Sequence, residues 1–257
     1  MSGNWVEIQA ADGGTFGAYL ARPAKGSGPG LVLLQEIFGV TSDIQAMADM
    51  FAEEGYVVAA PDIFWRTEPR LNLRHEGEDM QRAIRLGQGL DDAQAIADIG
   101  DVVAALKAME FCKGGIGVLG HCMGARLAVG AALAGHVDCA AAYYPVGLKR
   151  VLKDGDVLPV PTVIHVGTED LYMGADEVAG LLKRFQDNHE IEIYSYPGAG
   201  HAFANRAGTL TSSRPRTWRT AARWRSCARS SGLGTTSTHC GKPIAPASSK
   251  PATLTRP

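Results

Sequence analysis

Runs of apolar residues at strand spacing alternate along the chain with segments of helical periodicity. Residues 5–9 and 15–20 predict two short opening strands joined by the turn Asp12-Gly13-Gly14. After a linker from Pro23 to Gly30, the continuous apolar run Leu31-Val32-Leu33-Leu34 suits a strand covered on both faces. Thr41, Ser42 and Asp43 supply N-cap chemistry for a helix reaching about Glu54, and Gly55 stops it. Tyr56–Ala60 predicts the next buried strand, ended by Pro61-Asp62. Residues 63–75 are expected to form a loop. Helical patterning covers 76–87 and 91–110. A strand at 116–120 and a helix at 123–133 follow. The pattern then gives strands at 139–144 and 160–166, a helix at 175–188 and a last strand at 191–194. Strand–helix alternation at this spacing predicts an α/β class with a mostly parallel central sheet and helices on both faces. No internal repeat interrupts it.

Composition divides the chain in two. Residues 207–257 hold nine Lys/Arg and no Asp or Glu, which leaves residues 1–206 with a net formal charge of −11. The only aliphatic residues larger than Ala in this tail are Leu210, Leu233, Ile244 and Leu254. We therefore expect a globular domain over 1–206 and a basic, low-complexity tail over 207–257. Without apolar periodicity, the tail cannot supply an amphipathic closing helix. It fits a disordered extension, a polyanion-binding segment or an out-of-frame translation product; its abrupt onset and loss of acids favour the last. No run of ~18 apolar residues predicts a membrane span. The start Met1-Ser2-Gly3-Asn4-Trp5 lacks the features of a signal peptide. Five cysteines (112, 122, 139, 227, 240) without C-x-x-C spacing argue against a disulfide framework or a zinc site, so a cytoplasmic setting is expected.

Gly120-His121-Cys122-Met123-Gly124 is a G-x-C-x-G segment between a predicted strand and a predicted helix. A nucleophile elbow needs this spacing: the sharp turn leaves no room for side chains two positions either side of the central residue. Cys122 would lie at a helix N-terminus, where the dipole favours a thiolate, and the Met123 amide would serve as an oxyanion donor. An inert buried cysteine is the plain alternative. The overlapping Gly115-Ile116-Gly117-Val118-Leu119-Gly120 matches G-x-G-x-x-G, but its first two glycines fall at or inside the strand, which excludes a dinucleotide turn. Beyond the strand around His165 come Glu169 and Asp170, and beyond the last strand comes His201 in a Gly-rich loop. Nucleophile, acid and histidine then follow in α/β-hydrolase order. On position alone Glu169 and Asp170 compete for the acid's role. His121 is expected to help pack the elbow, and His165 to be a core or near-site residue.

Together these segments resemble the dienelactone hydrolase (carboxymethylenebutenolidase) family. The resemblance covers about residues 5–206 and is carried by Gln35-Glu36-Ile37-Phe38-Gly39-Val40, Pro61-Asp62, the Cys122 elbow and Gly200-His201-Ala202-Phe203-Ala204. It implies an α/β-hydrolase fold with Cys122 as nucleophile, Asp170 as acid and His201 as base. Ile37 and Met123 become the oxyanion amides, and Glu36 restrains ionisation of Cys122 until a substrate carboxylate displaces it. Phe38, Arg82 and Arg206 become substrate contacts, with Arg206 one residue beyond the family position. The implied activity is cysteine-dependent hydrolysis of a small ester or lactone by a monomer, with no cofactor, metal, membrane or nucleic-acid partner. A weakly catalytic binder on the same fold and a polyanion-binding protein working through its basic tail are the competing classes.

Overall fold

The computed structural model describes residues 3–188 and 190–204. The tail expected over 207–257, and Arg206, lie outside the described residues. Among the described residues eight strands form one sheet. Strands β1 (Asn4–Gln9) and β2 (Thr15–Ala21) make an antiparallel ribbon, and β2 pairs antiparallel with β4 (Val57–Pro61). The others are β3 (Gly28–Leu34), β5 (Cys112–His121), β6 (Cys139–Tyr143), β7 (Thr162–Gly167) and β8 (Ile191–Tyr196). These pair parallel with β4 and with one another, giving the order β1-β2-β4-β3-β5-β6-β7-β8. The mostly parallel α/β expectation is met, with the opening ribbon as its antiparallel edge.

Among the described residues the α-helices between these strands are α1 (Ser42–Glu53), α2 (Gly77–Gly89), α3 (Asp92–Ala108), α4 (Met123–Leu133) and α5 (Ala175–Phe185). None of the described helices is long and apolar enough to cross a membrane. Helix α1 buries Ile44, Met47, Ala48, Phe51 and Ala52, spaced for one helical face. It stops where Gly55 takes a φ of 105°, a conformation cheap only without a Cβ. Thr41 is its N-cap but makes no side-chain capping bond, contrary to the cap chemistry expected there. In α3 the Asp91 carboxylate accepts from the Gln94 amide at 3.1 Å, and Ile99, Val102, Val103 and Leu106 enter the core.

Helix α4 is buried on nearly every side, which explains its small residues. Gly130 lies where a Cβ would overlap Ile96, and Gly124 lies against the Leu34 and Gln35 carbonyls at the end of β3. Strand β5 begins four residues earlier than the apolar run at 116 indicates, because Lys113 and Gly114 are exposed and carry no burial pattern.

A ladder of rings crosses the carboxyl ends of β5 to β8. His121, Tyr143, His165 and Tyr194 are successive register partners, stacked at centroid distances of 5.3, 4.2 and 5.6 Å. Burial holds both histidines down to about 4 from an ordinary 6.5, His165 lying near enough to His121 to add to its shift. Between those values the folded protein binds fewer protons than the unfolded chain. Stability is therefore complete above about pH 6.5 and is lost as pH falls toward 4. Urea unfolding at pH 7 and pH 5 should show a loss on the order of 2 kcal/mol per histidine. Equal stability at the two pH values would rule this out.

Candidate active site

The carboxyl ends of β3, β5, β7 and β8 deliver Glu36, Cys122, Asp170 and His201 to one edge of the sheet, the side on which open α/β sheets place their sites. Cys122 sits at the N-cap of α4 with φ 54° and ψ −114°, a strained geometry for a residue with a side chain. The turn is pinned on both sides. The Cys122 amide donates to Tyr143 O at 3.0 Å, and its carbonyl accepts from the Val146 and Arg126 amides at 3.2 and 3.3 Å. Gly120 and Gly124 approach each other so closely that a Cβ on Gly120 would overlap the Gly124 carbonyl.

His201 Nδ1 lies 2.9 Å from Asp170 Oδ2, and Asp170 Oδ1 accepts from the Tyr172 amide at 2.8 Å. Asp170 is buried whereas Glu169 is exposed, so burial separates the two acids that compete in the sequence. The rings of Tyr144 and Tyr172 meet His201 edge-on at 5.0 and 4.7 Å. His121 and His165 stay in the ladder behind the site, with His165 Nδ1 2.9 Å from the Tyr196 hydroxyl.

Cys122 and His201 line one cavity of about 400 Å³ together with Glu36, Ile37, Phe38 and Met123. Burial pushes the Cys122 thiol up to about 12; Glu36 and, less strongly, Asp170 reinforce this, against the Met123 amide and Arg126. The resting side chain is therefore a thiol. Tyr144, at φ 41°, is buried beside Glu36 and Cys122, and its hydroxyl is also driven well up, first by burial. One wall is set by the bridge between Gly39 and Asn72 and the bond from the Leu73 amide to Phe38 O at 3.0 Å. These hold the 71–75 segment so that His75 lies flat on Phe38 at 3.8 Å.

Arg82 does not line this cavity. Helix α2 turns Met80, Ile84 and Gly87 inward, an i, i+4, i+7 face. Residue 82 points away from it, roughly 200° around the helix from residue 80. Its guanidinium pairs with Glu68 on the exposed side. A group not foreseen from the sequence is the Arg126–Asp92–Arg150 cluster at the cavity wall. Asp92 accepts from Arg126 Nη2 at 2.8 Å and from Arg150 Nε at 2.6 Å.

A mostly parallel sheet with a strained elbow at Cys122, a buried aspartate paired with a half-buried histidine, and a cavity open on one side to solvent defines an α/β-hydrolase. The model of the dienelactone hydrolase family matches residues 16–226. The carboxymethylenebutenolidase of Pseudomonas sp. (strain P51) is 36% identical over 201 residues, 77% of this chain and 84% of that protein. Carboxymethylenebutenolidase 1 of Cupriavidus pinatubonensis (strain JMP 134 / LMG 1197) is 32% identical over 79% of this chain and 87% of its own length. A solved structure from Klebsiella pneumoniae subsp. pneumoniae MGH 78578 superposes with a TM-score of 0.73 at 26% identity, covering 87% of this chain and 97% of that one. The chain belongs to the dienelactone hydrolase family and is a hydrolase acting on esters or lactones.

Proposed function

We propose that the chain hydrolyses a small ester or lactone through Cys122, His201 and Asp170, with a thioester acyl-enzyme as intermediate. The observation that carries this reading is the joint opening of Cys122 and His201 into one cavity while Asp170 holds His201 from behind. With Nδ1 engaged by Asp170, His201 offers Nε2 for proton transfer. On substrate binding Nε2 takes the thiol proton, and Sγ attacks the acyl carbon. The carbonyl oxygen becomes an oxyanion, received by the amides of Ile37 and Met123. Collapse breaks the acyl C–O bond, and His201 returns the proton to the leaving oxygen. In a lactone that oxygen stays tethered to the acyl group. His201 then activates water, which cleaves the thioester and restores the thiol. Burial, reinforced by Glu36, keeps the thiol protonated until a substrate is present, protecting it from oxidation and stray alkylation.

Acid quenching during turnover of a slowly deacylated aryl ester, followed by peptide mass analysis, tests the intermediate. The acyl mass is expected on the peptide containing Cys122. An acyl mass on another residue, or turnover that survives alkylation of Cys122, would overturn the reading.

A further inference from the structure

Glu36 also lines a second, narrow cavity of about 10 Å³, whose walls include neither Cys122 nor His201. That is close to the least space that holds one water, roughly 10–15 Å³, where two or more polar groups converge. Two such groups are His121 Nδ1 and the Tyr144 hydroxyl, both on residues lining this cavity and both buried without a hydrogen-bond partner among the described residues. The two residues are 3% and 1% exposed, so bulk solvent does not satisfy them. Protein interiors seldom leave such atoms unpaired, and one bound water would pair both. We infer that this cavity is a site for one ordered water, held between His121 Nδ1 and the Tyr144 hydroxyl, through which His121 positions the Glu36 carboxylate beside Cys122. This rests on the reading of Cys122 as the nucleophile and adds a positioning residue to it.

Donors and acceptors match at this place. The Leu34 carbonyl engages the His121 ring. Because Nδ1 is the unpartnered atom, that bond falls on Nε2, which carries the proton and leaves Nδ1 as an acceptor. The Tyr144 hydroxyl keeps its proton, driven well up by burial and then by Glu36. A water here gives one hydrogen to His121 Nδ1 and the other to Glu36, and accepts from Tyr144. Thr41 stands at the same wall, its hydroxyl uncommitted to the α1 cap. Asp43 and His75 are the other titratable residues lining the cavity. Ring contacts fix both anchors. His121 stacks on Tyr143 at 5.3 Å, and Tyr144 packs edge-on against Phe203 at 5.4 Å. Tyr144 holds a φ of 41°, a strain that persists only where its surroundings enforce it. Among the influences on the Cys122 thiol, Glu36 is second only to burial, so a loosened Glu36 registers at that sulfur.

The test has two parts, and neither requires turnover. A crystal structure of the intact chain is expected to show one water within about 3.2 Å of both His121 Nδ1 and the Tyr144 hydroxyl. Iodoacetamide labelling at pH 8, followed on the Cys122 peptide by mass analysis, reads how firmly Glu36 restrains the thiol. His121→Phe and Tyr144→Phe each keep a ring and remove one anchor of the water. Both leave Arg126, Asp170 and His201 around the sulfur unchanged. Each is expected to label about threefold to tenfold faster, as the thiolate fraction rises. The double variant should label no faster than the faster single one, because the first substitution already releases the water. His121→Asn, whose carboxamide oxygen can stand where Nδ1 does, should stay within about twofold of the parent. If His121→Phe does not fold, Tyr144→Phe and the crystal structure carry the test. A structure with other waters ordered but none at this place, or additive effects of the two Phe substitutions, overturns the inference. Unchanged labelling in both Phe variants overturns the positioning of Glu36. A parent chain that shows the water and these rates yet turns over no ester would sink the hydrolase reading alone.

Discussion

Cys122→Ala is expected to lower ester or lactone hydrolysis by roughly 10³-fold or more, because it removes the atom proposed to form the acyl bond while leaving the cavity in place. The cysteine is 8% exposed and small, so truncation creates little void. Circular dichroism and the urea midpoint should therefore stay close to those of the parent protein, which separates loss of chemistry from loss of fold. His201→Gln is expected to be nearly as damaging. Burial and Glu36 hold the Cys122 thiol near 12, so without a base at 201 almost none of it ionises near neutrality. If Cys122→Ala retained a tenth of the parent kcat/KM in folded protein, the nucleophile would have to be sought elsewhere.

The second large effect concerns the backbone that carries Cys122, the proposed nucleophile. Ala normally stabilises a helix interior over Gly by about 1 kcal/mol. Gly124→Ala, in the first turn of α4, should reverse that preference. A Cβ there would overlap the Gln35 carbonyl oxygen and lie 2.7 Å from that of Leu34. Those oxygens belong to the end of a strand paired on both sides, with no flexible side chain to move out of the way. Separating the helix from the sheet would cost several kcal/mol, on the scale of an overpacked core position. Soluble yield and the urea midpoint would report it. A variant as stable as the parent would show that helix and strand do not meet as closely as described.

Much of this arrangement is legible from local pattern. The apolar runs at 31–34, 56–60 and 139–144 mark strands because parallel strands are covered on both faces. The elbow shows in five consecutive residues, since the glycine requirement is itself local. Other features depend on distances no local pattern carries. Asp92 meets Arg126 and Arg150 across 34 and 58 positions of sequence. The strained backbone at Tyr144 arises where its amide reaches the His165 carbonyl. Arg82 is a different case. The spacing of Met80, Ile84 and Gly87 already indicates which way α2 faces, so helical periodicity alone could have placed Arg82 outward. Burial separates Asp170 from Glu169 in the structure, whereas strand-end position alone gives either residue the same standing.

The positive φ at Cys122 also sets the presentation of its thiol against the durability of the protein that carries it. The peptide at 122 is held in a conformation that a residue without a Cβ adopts at little cost and any other resists by about 1–3 kcal/mol. Of two inactive variants, Cys122→Gly should therefore unfold at higher urea than Cys122→Ala, although glycine elsewhere loosens a chain more than alanine does. The difference between their midpoints would measure, without any substrate, the strain maintained to present a sulfur atom at the tip of the turn.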